Sequence, residues 1–220
     1  MDATRKIGID VEIFTAFAKV LGAKLELRTI TTESMSYNDE AFAIGDVWAG
    51  GLSFNLEREN TYAQWTAPYL FTRRSCIFRK ENKFKTVKDL TGSVYVRGSS
   101  SAEEDARNQG VTAELVDDSK MSEKEIFQDI LNGKVTGALR GSIVAKAITV
   151  AYPGKFAYLE WDRDAKILES LHYMVSTRSN LNVALSVFCQ NLICTGQMDD
   201  IMKKSYSTMK ALGLRTRKKT

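Results

Sequence analysis

The sequence predicts an α/β fold with largely parallel sheets, and three observations carry that expectation. Segments patterned as helices alternate with segments patterned as strands from end to end. Helix-opening Ser/Glu pairs and helix-closing glycines punctuate the alternation. The composition, 44% hydrophobic and 26% charged over 220 residues, belongs to a globular chain able to bury a real core.

The elements come in this order. Asp10 is placed to cap a helix through VEIFTAFAKVL, with Ile13, Phe17, Val20 and Leu21 on one face and Gly22 as its stop. KLELR alternates Leu25 and Leu27 and reads as a strand. After the polar TTESMSYNDE loop, DVWAGGLS is a short apolar strand running into glycines. QWTAPYL is extended and halts at Pro68, and TVKDLTG gives a turn or two of helix ended by Gly92. SVYVRG is a strand. Ser100 with Glu103, and Ser101 with Glu104, fit capping boxes opening a helix that ends near Gly110. A strand at 112–116 precedes a third box, Ser122 with Glu125, before IFQDILNG. VTGALRG is a strand, SIVAKAITVAYPG a helix stopped by Pro153 and Gly154, and FAYLEW a strand. After LHYMVS come two helices, about 181–194 and 198–212.

Charge and rare residues exclude several functions. The net charge is +4, and four positives, Arg215, Arg217, Lys218 and Lys219, fall in the last six residues. Without them the chain balances at 27 of each sign, so the folded part carries no basic excess for a nucleic acid. The basic end is a solvated tail or a weak contact for an acidic surface. No stretch of about 18 apolar residues offers a transmembrane helix. MDATRKIGID lacks the apolar core of a secretory signal, as a mature secreted chain also would. Three cysteines (Cys76, Cys189, Cys194) and one histidine (His172) show no zinc-ligand spacing, so no metal and no cofactor is expected. Cys189 and Cys194 sit in one helix about 7.5 Å apart along its axis, too far for a disulfide, and all three read as free, mostly buried thiols. His172 lies in the apolar LESLHYMV and reads as a packed or hinge histidine. No GxSxG elbow accompanies it.

Five segments together resemble the type II periplasmic solute-binding proteins, family 3. This branch serves amino-acid ABC transporters and is related to the ionotropic glutamate receptor ligand-binding cores. GIDVEIFTAFAKVLGAKLEL resembles its G-F-D-V-D-L opening, GDVWAGGLSFNLEREN its D-x-x-x-x-G-L-S-I-T-x-E-R segment, and QWTAPYL its D-F-S-x-P-Y. KTVKDLTGSVYVRGSSSAEE resembles its D-L-K-G-K-x-V-G-V-x-x-G-S-T, and ILNGKVTGALRGSIVA its L-x-x-G-R-V-D-A-V-x-x-D-x-x-V-A. The resemblance implies two lobes, each a mostly parallel sheet flanked by helices. Lobe one comprises 1–77 plus 174–220 and lobe two 78–173. Crossover strands near Ile77–Arg79 and His172–Met174 act as a hinge that closes on ligand in the interlobe cleft.

The resemblance also assigns roles. Arg58, in the Glu57–Arg58 pair, occupies the place that holds a ligand carboxylate, a task suited to its bidentate fork of donors. Gly51 and Ser53 offer a backbone group and a hydroxyl, with Asn55 where the family has Thr. Ser99 and Ser100 open a helix whose free N–H groups suit an anion; ordinary capping is the competing reading. Two departures stand out. The acid that pairs with a ligand ammonium is replaced by Gly141, with Arg140 beside it and Thr136 for the preceding Asp. Arg140 there favours an organic anion over an α-amino acid, unless its side chain turns to solvent. Only MDATRK precedes Ile7, so the family's first strand is expected to be lacking, the chain being a fragment or lobe one being completed differently. Trp48, Trp65 and Tyr69 read as core first and ligand wall second.

The expected function is capture of a small carboxylate-bearing ligand, amino-acid-like or another organic anion, without catalysis. The expected location is periplasmic or extracellular, and the expected partner an ABC transporter permease. Two alternatives remain: a prephenate or arogenate dehydratase-like enzyme, for which Glu103 or Glu160 would have to serve as acid, and a scaffold that binds nothing.

Overall fold

The structure, a computed structural model, describes residues 7–28, 45–54, 63–98, 100–108, 110–118, 120–160 and 168–216. The side chains of Val87, Ser101 and 212–216 lie outside that description. The chain forms two compact units, a flanking one (2–71 and 169–205) and a central one (72–168 and 206–220). The changes of unit at Phe71/Thr72 and Leu168/Glu169 fall a few residues before the crossovers that the resemblance implies, and the last helix is divided at Ser205/Tyr206.

The flanking unit begins with α1 (Ile9–Leu21), which Gly22 ends in the left-handed conformation, φ 64°. Gly8, not Asp10, is the N-cap; Asp10 lies inside the first turn. The buried face is Ile13, Phe14 and Phe17, while Val20 and Leu21 are exposed, so the apolar stripe ends one turn earlier than the sequence suggests. KLELR is not a strand. Leu25 and Leu27 are half-buried and Lys24, Glu26 and Arg28 exposed, so the alternation is real. A strand also needs a hydrogen-bonded neighbour, and among the described residues none pairs with this segment. The sheet consists of β1 (Val47–Ser53), β2 (Ala63–Trp65), β3 (Leu70–Thr72) and β9 (Glu169–Ser176). β9 pairs with β1 on one side and β2 on the other, and both pairings are antiparallel, unlike the mostly parallel sheet expected. Trp48, Leu52, Ala63, Trp65 and Met174 form the core cluster here, and the stacked Tyr69 and Tyr173 are buried. The three aromatics in question, Trp48, Trp65 and Tyr69, are therefore core residues. α5 (Leu181–Cys194) adds Leu185, Cys189 and Leu192, and α6 (Gln197–Thr216) comes after it.

The central unit holds a five-stranded sheet in the order β6-β5-β7-β4-β8. Its strands are β4 (Arg74–Arg79), β5 (Ser93–Val96), β6 (Glu114–Asp117), β7 (Gly137–Gly141) and β8 (Phe156–Glu160). β5 runs parallel to β6 and β7; β4 is antiparallel to β7 and β8. Alternation along the strands feeds two cores, as a strand's period of two requires. Ile77, Tyr95 and Ala138 pack with α3 (Glu123–Asn132) and α4 (Ser142–Ala151) through Ile126, Phe127, Ile130, Ala145 and Ile148. Cys76, Phe78, Val94, Val96 and Leu139 face the other way, toward Ala106 of α2 (Ser101–Asn108). Burying each of the larger residues contributes about 1.5–3 kcal/mol. The Ser122–Glu125 capping box forms in full. Cys76 and Cys189 are buried and Cys194 is exposed, all three free thiols; burial pushes Cys76 and Cys189 up to about 12.

Candidate functional site

In the flanking unit the expected ligand segment lies at the end of β1. Gly51 has φ 71° and succeeds Gly50 at φ 126°, so the strand kinks just before Leu52 and Ser53. Ser53 pairs with Leu171 of β9, and its hydroxyl donates to the Glu169 carboxylate. Glu169 is an acidic residue that no local motif singles out. It is separated from Ser53 by 116 positions, and only the antiparallel β1–β9 register brings them together. Next to Ser53, exposed Phe54 packs on Trp65 and His172 with ring centroids 5.8 and 5.6 Å apart. His172 is buried with both ring nitrogens engaged, Nδ1 2.7 Å from the Thr66 carbonyl oxygen and Nε2 2.9 Å from Ser170 Oγ. It is the packed histidine expected. Arg58, Asn55 and Ser99 lie outside the described residues.

In the central unit the parallel strands β5, β6 and β7 end at one edge, where α/β sheets generally take ligands. Ser100 lies after β5, and its Oγ accepts from Glu103 N at 3.3 Å, the capping role. Gly98 N donates to Asp117 Oδ1 at 2.8 Å, and a side chain at Gly98 would collide with that carboxylate. Gly141 ends β7, and a Cβ there would come within 2.9 Å of Thr72 Oγ1. Thr72 thus occupies the space that an acid at position 141 would need.

Arg140 turns neither to solvent nor to an open anion site. Its side chain is only 9% exposed, and Nη2 donates to Asp118 Oδ2 at 2.7 Å and Glu123 Oε1 at 3.0 Å. Burial works against its charge, but Glu123 and Asp118 outweigh that and hold its pKa above the ordinary value. Arg97 approaches the same two carboxylates at 3.6 and 3.5 Å, so two cations meet two anions. The charge argument for an anionic ligand at Arg140 therefore loses its basis. Glu103 pairs with Arg107 at 2.8 Å and Glu160 with Arg73 at 3.7 Å, so each candidate acid already has a cationic partner.

A groove of about 480 Å³ also lies within the flanking unit, between α1, residues 23–28 and the first half of β1. Phe14, Phe17, Leu25, Leu27 and Trp48 line it. No group of three His, Cys, Asp or Glu among the described residues has metal-binding geometry.

A sequence model of the bacterial extracellular solute-binding proteins, family 3, matches residues 1–208. The chain belongs to this family. The fold of this family 3 protein is shared with solved structures. An amino acid ABC transporter substrate-binding protein, AbpA of Streptococcus pneumoniae, solved with L-arginine, gives a TM-score of 0.75 at 22% identity over 92% of this chain and 85% of that one. The GluR0 ligand-binding core, solved with L-glutamate, gives 0.73 at 16% identity over 90% and 89%. The membrane-bound lytic murein transglycosylase F of Pseudomonas putida (strain W619) is 31% identical over 106 residues. That match spans 47% of this family 3 protein and only 22% of the transglycosylase. No helix among the described residues is long and apolar enough to cross a membrane.

Proposed function

We propose that this family 3 protein is an extracytoplasmic binding module that captures a small amino-acid-like ligand without transforming it, for an ABC transporter permease or a sensor. The family match over residues 1–208 carries the reading. Arg58 is assigned the ligand carboxylate, a role suited to its planar fork. Gly51, Ser53 and Asn55 supply neighbouring polar groups, and Ser99 and Ser100 supply helix-terminal donors.

The Ser53–Glu169 contact favours a ligand that also bears a positive charge. Position 141 lacks an acid, and Arg140 is neutralised by Asp118 and Glu123. Among the described residues, Glu169 places a carboxylate beside the ligand segment, of the sign that attracts an ammonium group. This moves the reading from a plain organic anion toward a zwitterion.

A thermal-shift panel of amino acids, mono- and dicarboxylates and aromatic keto acids tests it. A ligand at about 100 times its Kd adds about 2.7 kcal/mol of stability. An amino-acid hit lost in Arg58→Ala and weakened in Glu169→Gln is the expected outcome. A hit confined to dicarboxylates and indifferent to Glu169→Gln would return the reading to an anion. Consumption of a keto acid would make the protein an enzyme.

A further inference from the structure

The carboxylate of half-buried Asp10 faces the strands that carry Gly51, Ser53 and Tyr173. β1 and β9 pair Trp48 with Met174 and, beyond them, Leu52 with His172. Ala49, Gly50 and Gly51 therefore stand opposite Tyr173 alone. Such a surplus is a β-bulge, which bends its strand and re-aims the side chains beyond it. Both glycines at its centre have positive φ, 126° and 71°, a backbone that β-strand pairing by itself does not hold.

The residue opposite the bulge shows what holds it. The Tyr173 hydroxyl donates to Asp10 Oδ1 at 2.9 Å. The Gly50 backbone N–H and the Tyr69 hydroxyl face the same carboxylate and act to lower its pKa. The Tyr69 and Tyr173 rings stack with centroids 4.0 Å apart and 11° between planes, which fixes both hydroxyls as a pair. Asp10 reaches them from the first turn of α1, where the helix dipole favours an anion. One carboxylate thus ties the helix start to the strand position opposite the bulge and to the stacked tyrosine pair.

We propose that Asp10 is a positioning residue of the ligand site: by accepting from Tyr173 Oη, opposite the bulge, it sets the bulge and so the direction in which Gly51 and Ser53 present their polar groups. The inference rests on the reading of Gly51 and Ser53 as ligand contacts. It adds a residue that never touches the ligand and a pH dependence at the site.

Burial raises the Asp10 pKa above its ordinary value, and the hydrogen bonds from Tyr173, Tyr69 and Gly50 offset this in part. The titratable groups facing it are Tyr69, Tyr173 of β9 and Cys189 of α5, all shifted upward and neutral across the acid range. Protonation of Asp10 on the acid side turns one acceptor oxygen into a donor. The bulge then loses an anchor.

The test uses the full chain, with Asp10→Asn and Tyr173→Phe. Amide NMR tracks Gly50 and Gly51 without ligand, and titration with L-amino acids measures affinity. In the wild type the Gly50 amide shift should titrate with an acidic group, and in Asp10→Asn that titration should vanish. Gly50 hydrogen exchange should rise at least tenfold in Asp10→Asn, with amide protection of the central-unit strands unchanged. Affinity should fall at least tenfold in Asp10→Asn and less in Tyr173→Phe. An unchanged Gly50 amide in both variants would overturn the proposal, as would full wild-type affinity in Asp10→Asn. If the wild type binds no amino acid, the ligand reading fails by itself. The Gly50 amide still decides whether Asp10 holds the bulge.

Discussion

Arg140 shows how one residue can look functional in sequence and be structural in space. Its partners lie 22 and 17 positions earlier, at the ends of other elements, and no spacing rule connects them. Asp118 is fully buried, and its Oδ1, like Glu123 Oε2, has no hydrogen-bond partner. Arg140→Ala should therefore destabilise by about 3–5 kcal/mol, because it leaves buried carboxylates with less compensation. Arg97 places the expected value at the lower end. A urea midpoint shift measures it, and a loss below about 1 kcal/mol would show that the cluster is not held by Arg140. Gly137 carries a second prediction at this scale. A Cβ there would lie 2.5 Å from the Ile77 carbonyl oxygen and 2.8 Å from Cys76 Sγ. Gly137→Ala forces β4 and β7 apart, at a cost above the usual 1–3 kcal/mol or so of overpacking. The substitution Gly141→Asp meets Thr72 in the same way, so a gain of amino-acid affinity is best sought together with Thr72→Ala.

At the scale of elements, legibility depended on local chemistry. The Ser122–Glu125 box was readable because both partners lie within one turn, and it forms with Ser122 Oγ accepting from Glu125 N at 3.3 Å. Ser122→Ala should cost about 1 kcal/mol, seen as increased exchange in the first turn of α3. KLELR marks the limit. Its alternation correctly told which side chains are covered, yet strand formation depends on a neighbour that local pattern does not report. Val20 and Leu21 mark another limit. The 3.6-residue period identifies a face, but the length of the surface it meets decides how far burial extends. The bulge in β1 was visible only as a glycine pair; its two extra residues and its anchor needed the register with β9.

For the whole molecule, order along the chain was more legible than assembly. The family's motifs lie in register from α1 to α4, so both the fold and the solute-binding family could be read. The proposed site was legible only in part, since Glu169 meets Ser53, and Asp10 meets Tyr173, through long-range pairing. Each unit draws on separate stretches of chain, so a cut near Phe71 or Leu168 splits segments belonging to both. Global stability should carry the mark of Asp10. Its folded pKa is raised, so the native state holds a proton that the unfolded state has already released. Between the ordinary value of 3.8 and the raised one, its contribution falls as pH rises. The exposed Asp89 and Glu125 and the half-buried Asp129, all lowered, contribute in the opposite sense. The stability difference between wild type and Asp10→Asn should thus shrink with rising pH across that window, and a flat difference would remove Asp10 as its source. The distribution of the thiols has a practical outcome. With Cys76 and Cys189 buried and Cys194 exposed, Ellman's reagent should count one rapid group in the native protein and three in denaturant. The folded chain is in effect a monothiol, so a maleimide fluorophore enters at a single address at the end of α5 and marks the flanking unit without an engineered cysteine.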